Sequence, residues 1–149
     1  MTDHKLNYGI LENMIGLELR KAQSLATQTF LNVLEGRILP GHFTILVLIA
    51  NNPGQSQSRI AEAAGLDRSS LVPILKQFET EKLITRLPAR HDRRSKVMVI
   101  TAKGNELIEK YTDEIQELET MVIDGMGREN QTRLVELLKI FQDLLLRRL

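Results

Sequence analysis

The chain has no cysteine, three histidines and six aromatic residues among its 149 positions. Without cysteine there are no disulfides, thiolate zinc sites, iron–sulfur clusters or thiol-based redox chemistry. His4, His42 and His91 fall in unrelated contexts and leave little for a metal site. Long apolar runs are also missing. The longest, Thr44-Ile45-Leu46-Val47-Leu48-Ile49-Ala50, is far shorter than the roughly 20 residues a membrane-spanning helix needs. The N-terminus has no basic region followed by an apolar one, so a cytoplasmic protein with no membrane partner is expected. No Gly-x-Ser-x-Gly, phosphate-cradling glycine loop, His-Glu-x-x-His or close His–Asp–Ser grouping is found, which argues against an enzyme, and no cofactor is expected. Six aromatics also provide few stacking platforms for RNA.

What is present is enough apolar material for one core: 42% of residues are hydrophobic and 26% charged, the composition of a single globular domain. The formal charge of +1 conceals an uneven distribution. Residues 51–100 carry nine Lys/Arg against five Asp/Glu, a balance of +4, whereas the flanks carry eleven against fourteen, a balance of −3. A basic island between acidic flanks points to a polyanionic partner.

Helical periodicity runs from Leu6 to about Leu34, with no proline and one internal glycine, and predicts one long helix ending near Gly36. Pro40-Gly41 starts a buried helix over His42 to Ala50, which Asn51-Asn52-Pro53-Gly54 terminates. Ser56 is placed to cap a short helix to about Ala64; Gly65 stops it, and Asp67 caps the next, which runs to about Lys82. Two short helices around Gly65-Leu66 form a helix-turn-helix pattern. Ile84 to Leu87 and Val97 to Thr101 are β-branched strand candidates on either side of a polar loop, Pro88 to Lys96. Helical spacing returns from Ala102 to about Gly125. The last helix, about Arg128 to Arg148, carries a heptad-like stripe of Leu134, Leu137, Leu138, Phe141, Leu144 and Leu145. The fold class expected is mainly α with a small β-hairpin: a winged helix-turn-helix flanked by long dimerisation helices.

A helix-turn-helix can be mere packing, but the hairpin that follows changes the odds. In a winged-helix arrangement the second helix enters the major groove and a basic hairpin reaches the backbone or the adjacent minor groove. The second helix opens with Asp67-Arg68-Ser69-Ser70, a polar first turn able to meet bases and phosphates, and Lys76 and Gln77 follow. The hairpin tip, Arg90-His91-Asp92-Arg93-Arg94-Ser95-Lys96, holds four cations and one acid within seven residues. Like charges so crowded repel unless an anion screens them, and the acid is placed to orient an arginine.

Residues 57–72 (Gln57-Ser58-Arg59-Ile60-Ala61-Glu62-Ala63-Ala64-Gly65-Leu66-Asp67-Arg68-Ser69-Ser70-Leu71-Val72), Leu83-Ile84-Thr85-Arg86, Asp92-Arg93-Arg94-Ser95-Lys96 and Ile100-Thr101-Ala102-Lys103-Gly104 together resemble the MarR family of bacterial transcriptional regulators. The resemblance covers roughly Pro40 to Gly104 and implies a winged helix-turn-helix lobe over 39–104, with dimerisation helices over 1–38 and 105–149. It places the recognition helix on Asp67 to about Lys82 and the wing signature on Asp92 and Arg94, with Arg94 reaching the minor groove and the acid orienting it. Arg68, Ser69, Ser70 and Lys76 become the major-groove and phosphate candidates, Gln55, Ser56 and Gln57 further phosphate contacts, and Arg93 and Lys96 the remaining wing cations. Pro73 lies inside the recognition helix. Either the first turn is distorted, or the helix begins nearer Ser69.

The terminal stripe and the apolar track from Leu11 to Val33 exceed what one small winged-helix domain can cover, and a homodimer would bury them, with Leu11, Leu134, Leu138, Phe141 and Leu145 at the interface. A twofold protein matches a palindromic duplex operator. The resemblance further implies a repressor released by a small anionic, often aromatic, effector. An aromatic acid or its coenzyme A thioester is the expected class, with Met14, Arg20, His42 and Phe43 as the residues to meet it. Activation in place of repression stays open, because its sign depends on where the operator lies. The rival reading is a helical protein–protein interaction module without specific DNA binding, which would have no use for the basic hairpin tip.

Overall fold

The computed structural model describes residues 6–88 and 96–149, and along them run six helices and one antiparallel hairpin: α1 (Ile15–Val33), α2 (Pro40–Asn51), α3 (Gln57–Ala63), α4 (Arg68–Thr80), β1 (Ile84–Pro88), β2 (Lys96–Ile100), α5 (Ala102–Met126) and α6 (Arg128–Leu146). The chain falls into two compact units, Met1–Glu109 and Lys110–Leu149. α5 runs from the first into the second. No helix among the described residues is long and apolar enough to cross a membrane.

The first expectation to need correction is the start of the long helix. Instead of beginning at Leu6, the chain makes a 3-10 turn over Gly9–Leu11, and Asn13 adopts a φ of 64° before Met14 caps α1. A left-handed residue cannot lie inside an α-helix. The Asn7 side chain, whose Oδ1 accepts the Gly9 N–H at 2.8 Å, offers the backbone a competing turn. Apolar spacing alone does not register either effect.

α2 opens with Pro40 at its first position, where the missing N–H costs nothing, and buries Ile45, Leu46 and Ile49. Its end is closed by the two asparagines: Asn51 and Asn52 donate their side-chain amides to the carbonyls of Val47 and Leu48, each at 2.9 Å. Leu48 is among the last four carbonyls of the helix, which have no partner further along it. Ser56 caps α3 by accepting the Arg59 N–H at 3.4 Å. Gly65, at a φ of 69°, takes the left-handed conformation that lets the Leu66 N–H return to the Ala61 carbonyl at 2.9 Å, the usual helix stop. Asp67 then caps α4, which begins at Arg68. Pro73 is accommodated inside a continuous helix, which begins one residue before Ser69.

α4 buries Leu71, Leu75 and Phe78, which join Leu46, Ile49 and Ile60 in the core of the first unit. No charged side chain is fully buried among the described residues. The hairpin pairs Ile84 with Ile100 and continues to Pro88 opposite Lys96, one pair further than the expected loop allowed. A bridge between Ser56 and Val97 adds the segment before α3 to the free side of β2. Thr101, expected to end the second strand, instead caps α5. Its hydroxyl accepts the Gly104 N–H at 3.1 Å and lies 2.7 Å and 3.0 Å from the carbonyls of Lys82 and Leu83. Within the second unit, α5 and α6 are separated by Gly127 alone, and Asn130 donates to the Met126 carbonyl at 2.8 Å.

Candidate nucleic-acid interface

The helix-turn-helix expected from the sequence is α3, Gly65-Leu66 and α4, and the hairpin follows directly. Arg68, Ser69, Ser70 and Lys76 are all exposed on α4. Arg68 stands at the first helical position and Lys76 two turns on. The Asp67 carboxylate organises the start of this helix. One oxygen accepts the Ser70 N–H at 2.8 Å and the Ser69 hydroxyl, and the other accepts the Ser70 hydroxyl at 2.7 Å. These hydrogen bonds hold the carboxyl well below its ordinary value of 3.8, and its charge sits at the positive end of the helix. Both serine hydroxyls spend their hydrogen on Asp67, so what they offer outward is acceptor lone pairs.

This arrangement has a pH signature. A carboxylate whose folded value is depressed stabilises the fold fully above its unfolded value, and that contribution is lost as pH falls through the folded one. Asp67→Ala is therefore expected to lower the melting temperature at pH 7, and the gap to the parent should narrow once pH drops below 3.8. A gap that does not change with pH would show that the charge on Asp67 adds nothing.

Gln55 and Gln57 are half-buried and Ser56 is exposed at the start of α3. Gln55 shares a shallow cavity of about 380 Å³ with Leu48, Asn52 and Arg59. The wing residues Asp92, Arg93 and Arg94 lie outside the described residues; for Lys96 the backbone pairing to Pro88 is defined. The strands that carry the wing are tied to α4 by Arg86, whose guanidinium lies 2.9 Å from Glu79 and whose Nε is buried without a hydrogen bond among the described residues. Sequence reading missed this strut. Its only sign was the Leu-Ile-Thr-Arg segment.

The four effector candidates occupy two places in the first unit. Met14 and Arg20 are exposed on and just before α1, and His42 and Phe43 are half-buried in the first turn of α2. The His42 ring meets Phe78 of α4 edge-on at 6.1 Å. Burial lowers the His42 pKa from its ordinary value, while Glu81 pulls the other way. Of the dimer candidates, Leu11, Leu134 and Leu145 are exposed, and Leu138 and Phe141 half-buried. The exposed apolar surface of α6 is wider than the stripe read from the sequence, for it includes Val135 and Ile140.

A helix-turn-helix joined to a β-hairpin and set between long helices is a winged helix-turn-helix fold. The family model described as "MarR family" matches residues 38–96. A protein of Thauera aromatica described as a transcriptional regulatory protein for the hcr operon is 31% identical over 138 residues, covering 91% of this chain and 82% of that protein. Among solved structures, the transcriptional repressor CouR bound to a 23-mer DNA duplex superposes with a TM-score of 0.82 at 28% identity, covering 93% of this chain and 99% of that one. CouR bound to p-coumaroyl-CoA gives a TM-score of 0.81 at 26% identity, with coverage of 93% and 98%. The chain belongs to the MarR family of transcriptional regulators.

Proposed function

We propose that this protein is a cytoplasmic repressor that binds a palindromic duplex operator as a homodimer and leaves it when a small aromatic acid or its coenzyme A thioester binds. The observation that carries the reading is the outward face of α4, where Arg68 and Lys76 stand exposed with Ser69 between them. A capped, cation-bearing second helix of a helix-turn-helix is shaped for the major groove. Gln55, Ser56 and Gln57 are assigned to the flanking phosphates, and Asp92, Arg93, Arg94 and Lys96 to the wing contact. Support for the effector class comes from CouR, whose structures include one with a DNA duplex and one with p-coumaroyl-CoA. Met14, Arg20, His42 and Phe43 are assigned to that effector.

Several rounds of selection from random duplex DNA test the reading. Enrichment of a palindrome is the expected result, and weak, sequence-blind, steeply salt-dependent binding by protein stripped of ligand would contradict it. On the enriched duplex, Arg94→Ala should weaken binding and flatten the dependence of log K on log salt by about 0.9 for each phosphate that the arginine neutralises. If affinity and slope both stay as they were, Arg94 does not touch the DNA.

A further inference from the structure

The face of α4 turned away from the core is not uniformly polar. The helix buries Leu71, Leu75 and Phe78. At 3.6 residues per turn, Ser69, Pro73, Lys76 and Thr80 fall on the opposite side, with Val72 at its flank. Val72 leaves 43% of its surface open, and Ser69, Pro73 and Lys76 are exposed around it. An apolar pair, Val72-Pro73, thus lies between Arg68 and Ser69 on one side and Lys76 on the other.

Pro73 is the sharper observation. As the sixth residue of α4 it has no N–H to give the Ser69 carbonyl, and proline is the costliest residue in a helix interior. Its ring is exposed, so no packing within the chain offsets that cost. Val72 likewise remains open beside the fully buried Leu71.

Charge indicates what covers the pair. Arg68 and Lys76 frame it, while the acids near the end of the helix are engaged elsewhere: Glu79 with Arg86 at 2.9 Å, and Glu81 with the Gln77 amide at 2.8 Å. An apolar patch framed by cations suits the major groove, where the apolar group on the base edges is the C5-methyl of thymine. On the basis of the DNA-binding function proposed above, we propose that Val72 and Pro73 are specificity-determining residues that pack against a thymine methyl in each half-site.

Deoxyuridine replaces thymine with loss of the methyl alone, and so isolates this contact. The full chain is titrated against the selected palindrome, with each thymine in turn replaced symmetrically by deoxyuridine. At one or two positions per half-site, binding should weaken by about fourfold for each methyl, or about fifteenfold for the pair, the transfer value of one buried carbon group. Val72→Ala combined with Pro73→Ala should bind the thymine duplex more weakly and lose the difference between the two bases at those positions. Both side chains are exposed, and alanine removes a helix breaker, so the variant should fold; a thermal melt checks this. Uniform affinity across the deoxyuridine scan, or a variant that keeps the parent's sensitivity, overturns the proposal and leaves DNA binding intact. Failure to select any sequence overturns the DNA-binding reading itself, and this proposal with it.

Discussion

Leu137→Glu together with Leu144→Glu is expected to convert a dimer into a folded monomer that no longer holds its operator. The two leucines lie one heptad apart on α6 and are 53% and 55% exposed, so within the single chain a glutamate at either place is solvated and the variant should stay folded, its melting temperature falling only by the share that dimerisation contributes. In the proposed dimer the stripe that carries them would be covered. Each Leu side chain so buried contributes about 1.5–3 kcal/mol, and a twofold interface contains four of them, for about 6–12 kcal/mol. A nanomolar dimer is held by about 12 kcal/mol, so removing that much leaves monomers at micromolar concentration. Operator affinity should then fall at least about 100-fold, because the second half-site contact is no longer intramolecular. Analytical ultracentrifugation reads the first effect and a DNA titration the second. A double variant that sediments as a dimer would place the interface on another surface.

Gly104→Ala should be the most damaging change of a single hydrogen to a methyl. Gly104 is buried in the first turn of α5, and a Cβ there would run into the Leu83 carbonyl oxygen and the Cδ1 of Ile100. The isoleucine can rotate away. The carbonyl cannot, because it accepts the Thr101 N–H at 3.0 Å and lies 3.0 Å from the Thr101 hydroxyl. Forced overpacking of this kind costs about 1–3 kcal/mol, or about 3–10 °C in melting temperature for a chain of this size. Gly125→Ala is the control: it lies in the same helix with nothing within 4 Å of a Cβ, and should stabilise by about 0.5–1 kcal/mol. Equal melting temperatures for the two variants would contradict the packing described around Thr101.

The Ile-Thr-Ala-Lys-Gly segment shows how much of the molecule could be read from its residues and where reading stopped. Features written within a few residues were legible: Ser56 and Asp67 as caps, Gly65 as a stop, Pro40 as a helix start, and the breaker at Asn51-Asn52. The helix-turn-helix and hairpin followed from them. Thr101 and Gly104 were visible as a pattern, yet their reason lies 18 to 21 residues away in the Lys82 and Leu83 carbonyls. The same holds for Arg86 and Glu79, whose pairing joins β1 to α4. Local turn chemistry at Asn7 and Asn13 overrode the apolar spacing ahead of α1. On α4 the cations were legible as a charge pattern, but the exposure of Val72 and Pro73 emerges only once Leu71, Leu75 and Phe78 fix which side faces inward.

On the proposed function, two copies of this chain read one palindrome. The most direct test is a titration of the whole chain against the selected duplex and against the same duplex with one half-site scrambled, at two salt concentrations, with stoichiometry measured by sedimentation. Two protomers per intact duplex are predicted, with affinity at least about 100-fold lower for the scrambled one at either salt concentration. Equal affinity for the two duplexes, or a single protomer bound to the intact site, would contradict it.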